Sequence, residues 1–220
     1  MNPRVVLYAE GGNETGGSGP PPTPGAEMHD DALGAAHLLV RRVLAAAWGI
    51  PLAAVRFIGP LRRRGVVIRG SQLLDRETLR QALSFGSERR RPDFAVVLVD
   101  EDGDDARHRT VDGHVADLPL PRVVGCAVRE FEAWLIADHA PVRAMLGPLQ
   151  APASIEQLRP TEAKALLAGW ASSGNVAEIE LRRTLASQCD LDDVAHRCAA
   201  FARFRNDVGR SKTTLFGGAP

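Results

Sequence analysis

Carboxylates follow three apolar runs in this chain, at the point where each run ends. The runs are residues 5–9 (V-V-L-Y-A), 94–99 (F-A-V-V-L-V) and 123–128 (V-V-G-C-A-V). The acids that follow them are Glu10, then Asp100 with Asp102, then Glu130 with Glu132. Short continuous apolar runs are typical of strands that a parallel sheet buries on both faces. Because parallel strands share one carboxyl edge, acids far apart in sequence can meet in one crevice there.

Converging carboxylates are suited to a hard divalent cation. Mg²⁺ and Mn²⁺ prefer oxygen ligands, and Mg²⁺ usually takes one or two carboxylates together with waters and substrate phosphate oxygens. Asp100 and Asp102 would point to the same side if their strand continued, so that two oxygens could reach one ion. The pattern therefore predicts metal-dependent phosphate chemistry.

Composition sets the class of protein. A chain of 220 residues with 45% hydrophobic and 25% charged residues is typical of a globular protein, and no apolar run approaches the roughly 18 residues of a membrane span. The first residues lack the pattern of a secretory signal, so we expect a cytoplasmic protein. Net charge is zero, so affinity for nucleic acid would need a local basic patch. Cys126, Cys189 and Cys198 have no metal-site spacing, and we expect buried thiols.

Periodicity predicts an α/β protein with a mostly parallel sheet flanked by helices. Additional short strands are expected at 55–58 and 66–68, whereas residues 11–25 are too rich in Gly and Pro for a helix and 106–118 lack a helical pattern. Helices are expected at 30–49, 75–83, 130–139, 162–170, 176–188 and 191–208. We predict an α/β domain over residues 1–140 and a helical extension over 141–220 that packs on it.

The order of these motifs resembles a known fold. A strand followed by Glu10-Gly11, and a later strand followed by Asp100-Glu101-Asp102, is similar to the Toprim fold of topoisomerases, primases and overcoming-lysogenization-defect nucleases. Residues 130–138 (E-F-E-A-W-L-I-A-D) resemble the signature of a Toprim-like bacterial family known as domain of unknown function 4276. Residues 198–204 (C-A-A-F-A-R-F) are similar to the C-terminal motif of that family.

The resemblance implies a function and a set of site residues. It implies a Mg²⁺- or Mn²⁺-dependent nuclease or phosphodiesterase, a hydrolase of phage defence that acts on nucleic acid, with an ATPase as a partner protein. Glu10 would act as general acid or base. Our predicted metal ligands are Glu10, Asp100 and Asp102, and Glu130 joins them as a catalytic residue.

The two glutamates of the 130–138 motif receive different predictions. Residues two apart on a helix diverge by about 200°, so both cannot face one cleft if the helix includes them. We predict that Glu130 faces Glu10 and Asp100, and that Glu132 pairs with an arginine or caps backbone amides. The sequence leaves the roles of Glu14 and Asp138 open.

Other motifs leave alternatives open. The protein could instead be a non-catalytic module with the same fold that binds a protein or nucleic acid. Its acidic residues would then have structural roles. Residues 11–18 approach a phosphate-binding loop but lack its lysine, which argues against nucleotide hydrolysis. Arginines at 62–64 and 89–91 are candidate phosphate contacts, although the second cluster precedes a strand whose far end carries the acids, about 20 Å away.

Overall fold

Helices cover both faces of a parallel β-sheet in the computed structural model, which describes residues 2–17, 22–63, 66–84, 91–147, 152 and 154–217, with backbone alone at positions 13 and 63. In this part of the chain the sheet has four strands, in the order β2-β1-β5-β6, and all neighbouring pairs are parallel. The strands are β1 (Arg4–Ala9), β2 (Arg56–Ile58), β3 (Arg62–Arg63), β4 (Val66–Val67), β5 (Phe94–Asp100) and β6 (Arg122–Ala127). The predicted α/β class with a parallel sheet is confirmed.

The helices follow the strands and then fill the C-terminal third. Short 3₁₀ turns cover Asp30–Ala32, Leu52–Ala54 and Gly70–Leu73. The α-helices are α1 (Gly12–Thr15), α2 (Ala35–Trp48), α3 (Arg76–Leu83), α4 (Arg107–Val115), α5 (Glu132–Ala137), α6 (Ala140–Leu146), α7 (Glu162–Ser173), α8 (Glu178–Gln188), α9 (Leu191–Arg197) and α10 (Ala199–Phe216).

Alternating side chains of the strands enter two hydrophobic cores, one on each face of the sheet. In β1, Val5 and Leu7 enter the larger core, whereas Val6 and Tyr8 enter the smaller one. The larger core also takes apolar side chains from α2, α5 and the C-terminal helices, and the smaller one takes them from α3 and α4. Every residue of β5 is buried, as expected for a strand covered on both faces.

An aromatic cluster in the larger core joins the C-terminal helices to the sheet. The Trp134 ring stacks on Phe204 at 5.5 Å between centroids and contacts Phe201 edge-on at 5.2 Å. Gly125 of β6 makes room for this cluster, because a Cβ there would lie 2.6 Å from Leu98 and 3.0 Å from Phe204. The last helix is therefore packed directly against β6 and α5.

Several predicted elements differ from the observed ones. Residues 12–15 form a helix within the Gly-rich loop, and residues 107–115 form α4 because two valines, Val111 and Val115, anchor it in the smaller core. The predicted helix 191–208 is two helices, since Cys198 has an extended backbone (φ −128°, ψ 101°) between α9 and α10. The predicted strand at 66–68 pairs with β3 rather than joining the main sheet.

Within the described ranges, none of the helices has the combination of length and hydropathy that a membrane span requires. The three cysteines are buried and free, as predicted.

Candidate active site

Glu10 and Asp100 lie side by side at the carboxyl edge of the sheet. Asp100 is the last residue of β5, and Glu10 directly follows the adjacent β1. The Glu10 carboxylate accepts a hydrogen bond from the Asp100 main-chain N–H at 2.9 Å. The Asp100 carboxylate accepts one from the Phe131 main-chain N–H at 2.8 Å. These bonds tie together the segments that follow β1, β5 and β6, and they orient both carboxylates.

Asp102 lies apart from this pair. Strand β5 ends at Asp100, and Asp102 has a left-handed backbone (φ 48°), so the extended geometry that would aim both aspartates at one ion is absent. Its half-exposed carboxylate accepts a hydrogen bond from the Arg107 guanidinium at 2.9 Å. The observed turn therefore directs Asp102 toward α4.

Glu130 and Glu132 contact the same ammonium group, so the two side chains do not diverge as residues two apart on one helix would. The Lys164 Nζ lies 3.2 Å from Glu130 Oε2 and 3.7 Å from Glu132 Oε2. The physical reason is that α5 begins at Glu132, so Glu130 is outside the helix and the 200° rule does not apply to the pair. Glu130 also accepts a hydrogen bond from the Lys164 main-chain N–H at 2.9 Å.

Glu132 pairs with Arg182, and this prediction is confirmed. Both side chains are buried, and the Arg182 guanidinium also contacts Glu178 on the preceding turn of α8. Glu132 also has an electrostatic role that the sequence did not reveal, because its negative charge helps to raise the pKa of Asp100. Glu132, which we expected to be structural, therefore also affects the protonation of Asp100, a predicted metal ligand.

Glu14 is a fifth carboxylate of this site. It is buried, and its Oε1 has no hydrogen-bond partner among the described residues. Burial first, and then the negative charges of Asp100 and Glu132, raise the pKa of Glu14 to about 8. A glycine at position 11 permits this arrangement, because a Cβ there would lie 2.0 Å from Glu14 Oε1. The Gly11-Gly12 pair was the local signal that the following residues could fold back on the strand end.

A cleft of ≈620 Å³ opens beside these acids and carries both signs of charge. Its lining includes Glu14 and Glu132 together with three cationic side chains, Arg69, Lys164 and Arg182. Partial burial lowers the pKa of Lys164, but the negative charges of Glu132, Glu130 and Asp100 outweigh it and the net shift is upward. Sequence reasoning missed these cations because they come from distant segments without a local motif.

Carboxyl groups outnumber cationic groups where the sheet ends. Burial raises the pKa of Asp100 to about 7; the charge of Lys164 opposes this shift, and the charges of Glu132 and Glu10 add to it. A cation would relieve this repulsion, and Glu10 with Asp100 fits an ion that takes two carboxylates and completes its shell with water and phosphate. Across the described ranges, no three His, Cys, Asp or Glu side chains are grouped to hold a metal. Glu10 and Asp100 would therefore offer an ion two carboxylates, with its other positions left to water and phosphate.

The remaining sequence candidates have structural contacts. The Asp138 carboxylate accepts hydrogen bonds from the main-chain N–H groups of Ala140 (2.9 Å) and Asp190 (2.7 Å), so it joins α6 to the start of α9. Arg62 donates to the Pro22 carbonyl at 2.8 Å. The side chain at position 63 and the arginines at 64, 89 and 90 lie outside the described residues, as does Ser18.

Comparison of the chain with protein families, with curated proteins and with solved structures finds no match.

Proposed function

We propose that this protein is a Toprim-like, Mg²⁺- or Mn²⁺-dependent phosphodiesterase or nuclease. The observation that carries the proposal is the pairing of Glu10 and Asp100 at the carboxyl ends of adjacent parallel strands, joined by the Asp100 N–H bond. Ligands bind at this edge in open α/β sheets. The nearby Lys164 and Arg69 supply positive charge that would attract a phosphodiester into the cleft.

The chain's own groups divide the work of hydrolysis. Glu10 and Asp100 would hold the ion. Asp102 remains a predicted third ligand, but its ion pair with Arg107 would have to break first. When bound, the ion polarises a phosphoryl oxygen and supplies a water of lowered pKa. Glu14 retains a proton near neutral pH and is suited to donate it to the leaving oxygen, a role that the family resemblance assigns to Glu10.

Cleavage of labelled nucleic acids tests the proposal. Purified protein is incubated with single- and double-stranded DNA and RNA, with Mg²⁺ or Mn²⁺ and separately with chelator. We expect cleavage that requires the ion and that Glu10→Gln or Asp100→Asn reduces at least 100-fold. Glu180→Gln, an exposed acid of α8, serves as the matched control and should cleave like the wild type. Cleavage that persists in chelator, or in the Glu10→Gln Asp100→Asn double variant, overturns the metal mechanism.

The family resemblance also proposes a setting for the activity, namely phage defence with an ATPase as partner. Nuclease activity that rises when the ATPase and ATP are added would support this setting. Equal activity with and without the ATPase would refute the proposed ATPase partner but would leave the hydrolysis proposal intact.

A non-catalytic binding module is the second candidate function. The pairing of Asp102 with Arg107 favours it, because one predicted ligand is already neutralised. Calorimetric titration with Mn²⁺ separates the two functions. The enzyme proposal expects one site that Glu10→Gln weakens at least tenfold, whereas the binding module expects no site-specific heat in either protein.

A further inference from the structure

A second cavity, of ≈320 Å³, lies next to the cleft that Glu14 and Lys164 line. Apolar side chains from β1 and from the segment before α2 form most of its wall, among them Leu7, Met28 and Ala32. The helix α1 stands between the two spaces, with Thr15 lining the second cavity and Glu14 lining the cleft. At this size the cavity lies at the lower end of the range for small-ligand sites.

His37 of α2 is a buried polar group in the lining of this cavity. It is 2% exposed, and neither ring nitrogen has a hydrogen-bond partner among the described residues. Its ring packs edge-on against Phe57 with 4.8 Å between centroids. Burial, together with the charge of Arg41, lowers the pKa of His37 to about 3, so the imidazole is neutral and offers one donor and one acceptor. Buried polar groups without partners are uncommon in proteins and call for an explanation.

Arg69 lines both cavities. Its side chain is exposed and forms no ion pair with any carboxylate in the described ranges. It lies against the backbone at Gly12, where an added Cβ would be 2.4 Å from a guanidinium nitrogen. Arginine binds phosphate through paired hydrogen bonds, and this arginine lies where the apolar cavity meets the cleft.

We propose that the apolar cavity binds one nucleotide unit, with the base hydrogen-bonded to His37 and its phosphate at Arg69. A nucleobase has apolar faces for the cavity wall and a polar edge that satisfies an imidazole nitrogen. A purely hydrocarbon ligand would leave His37 without a partner and would give Arg69 no role. The proposal rests on the proposed function and specifies its substrate class: the phosphate at Arg69 borders the cleft where hydrolysis is assigned.

Calorimetry in the presence of chelator tests binding without turnover. The purified chain is titrated with AMP, GMP, CMP and UMP, with inorganic phosphate, and with short oligonucleotides that end in the same bases. We expect at least one monophosphate to bind tenfold more tightly than phosphate alone. An oligonucleotide that competes with it identifies a chain end as the natural ligand, and one that does not compete identifies a free nucleotide; both outcomes support the site.

Variants distinguish this pocket from the rest of the molecule. His37→Leu should raise the Kd for the monophosphate at least tenfold, with an equal or higher melting temperature. Ala32→Leu, which fills the cavity, should also raise the Kd at least tenfold although it leaves the imidazole in place. Arg69→Gln should raise the Kd about fivefold, whereas Arg109→Gln, an exposed arginine of α4, should leave it unchanged.

The site and the catalytic proposal can fail separately. Asp100→Asn should retain nucleotide binding in chelator, because the pocket does not use that carboxylate. If no monophosphate binds better than inorganic phosphate, or if His37→Leu, Ala32→Leu and Arg69→Gln all bind as the wild type does, the nucleotide pocket is refuted whatever the cleavage assays show.

Discussion

The Arg182 guanidinium contacts the Glu132 carboxylate in an ion pair whose two side chains are only 4% and 2% exposed. The same guanidinium contacts Glu178, whose side chain is 41% exposed. Arg182 therefore has one counterion in the protein interior and another at its surface. Removing the buried partner of an ion pair leaves a poorly solvated charge, which costs far more than the loss of an exposed pair.

Glu132→Gln should lower the free energy of unfolding by about 2–3 kcal/mol, because Arg182 loses its buried counterion but keeps Glu178. Glu178→Gln is the matched control and should cost only about 0–1 kcal/mol. Urea denaturation of both variants checks this difference. Equal losses would show that the buried pair contributes no more than the exposed one.

Stability should fall as pH rises through the range in which Glu14 titrates. Its pKa is raised from 4.5 to about 8 in the folded protein, so the folded state holds a proton that the unfolded state has released. The stabilisation is complete below about pH 4.5 and is lost as pH approaches 8. Asp100, Glu132 and Lys164 act on the same carboxyl, so the wild type alone does not isolate the effect.

The Glu14→Gln variant isolates the contribution of Glu14 to the pH dependence of stability. The difference in unfolding free energy between Glu14→Gln and wild type should change in favour of the variant between pH 5 and 8, by an amount on the order of a few kcal/mol. Urea denaturation at several pH values measures it. A difference that is constant across this range would contradict the raised pKa.

Arg107→Gln should release the Asp102 carboxylate and strengthen Mn²⁺ binding about two- to fivefold, if Asp102 is the third ligand of the proposed site. Arg109→Gln, on the same helix but without a described ion pair, is the control. Titration calorimetry gives both Kd values. An unchanged Kd for Arg107→Gln, with an unchanged melting temperature, would exclude Asp102 from the metal site.

Gly125→Ala should lower the free energy of unfolding by about 1–3 kcal/mol, because the added methyl group meets Leu98, Phe204 and Trp134. Gly113→Ala provides the contrast, since nothing lies within 4 Å of its added Cβ on exposed α4. That variant should be stabilised by about 0.5–1 kcal/mol through helix propensity. Thermal unfolding compares the two variants. A Gly125→Ala variant as stable as the wild type would refute the tight packing around Gly125.

Strands β1, β5 and β6 were predictable because their apolar runs are nearly continuous, whereas the two arginines of β3 carry no such signal. Helix α4 was not predictable, since Val111 and Val115 are its buried apolar residues and its remaining positions are polar or glycine. Its helicity depends on packing against α3 and β6, which no local pattern records. The same limit explains Cys198, whose extended backbone divides a sequence with continuous helical periodicity.

The candidate site was predictable in its acids but not in its cations. Glu10 and Asp100 follow apolar runs, so their position at the sheet edge could be read from the sequence. Lys164 and Arg182 reach the site through the docking of α7 and α8, and their distance in sequence from the acids hides the contact. The turn at Asp102 was also hidden, because an Asp-x-Asp motif does not reveal where its strand ends.

During translation, the carboxylates of the sheet edge are synthesised before the cations that neutralise them. Lys164 and Arg182 follow Glu10, Asp100 and Glu132 in the chain. A nascent polypeptide that has formed its strands but not yet released α7 and α8 from the ribosome would carry an unbalanced cluster of negative charge. Docking of those helices is then an electrostatic as well as a hydrophobic event, and the acidic edge is complete only after α7 and α8 have been synthesised.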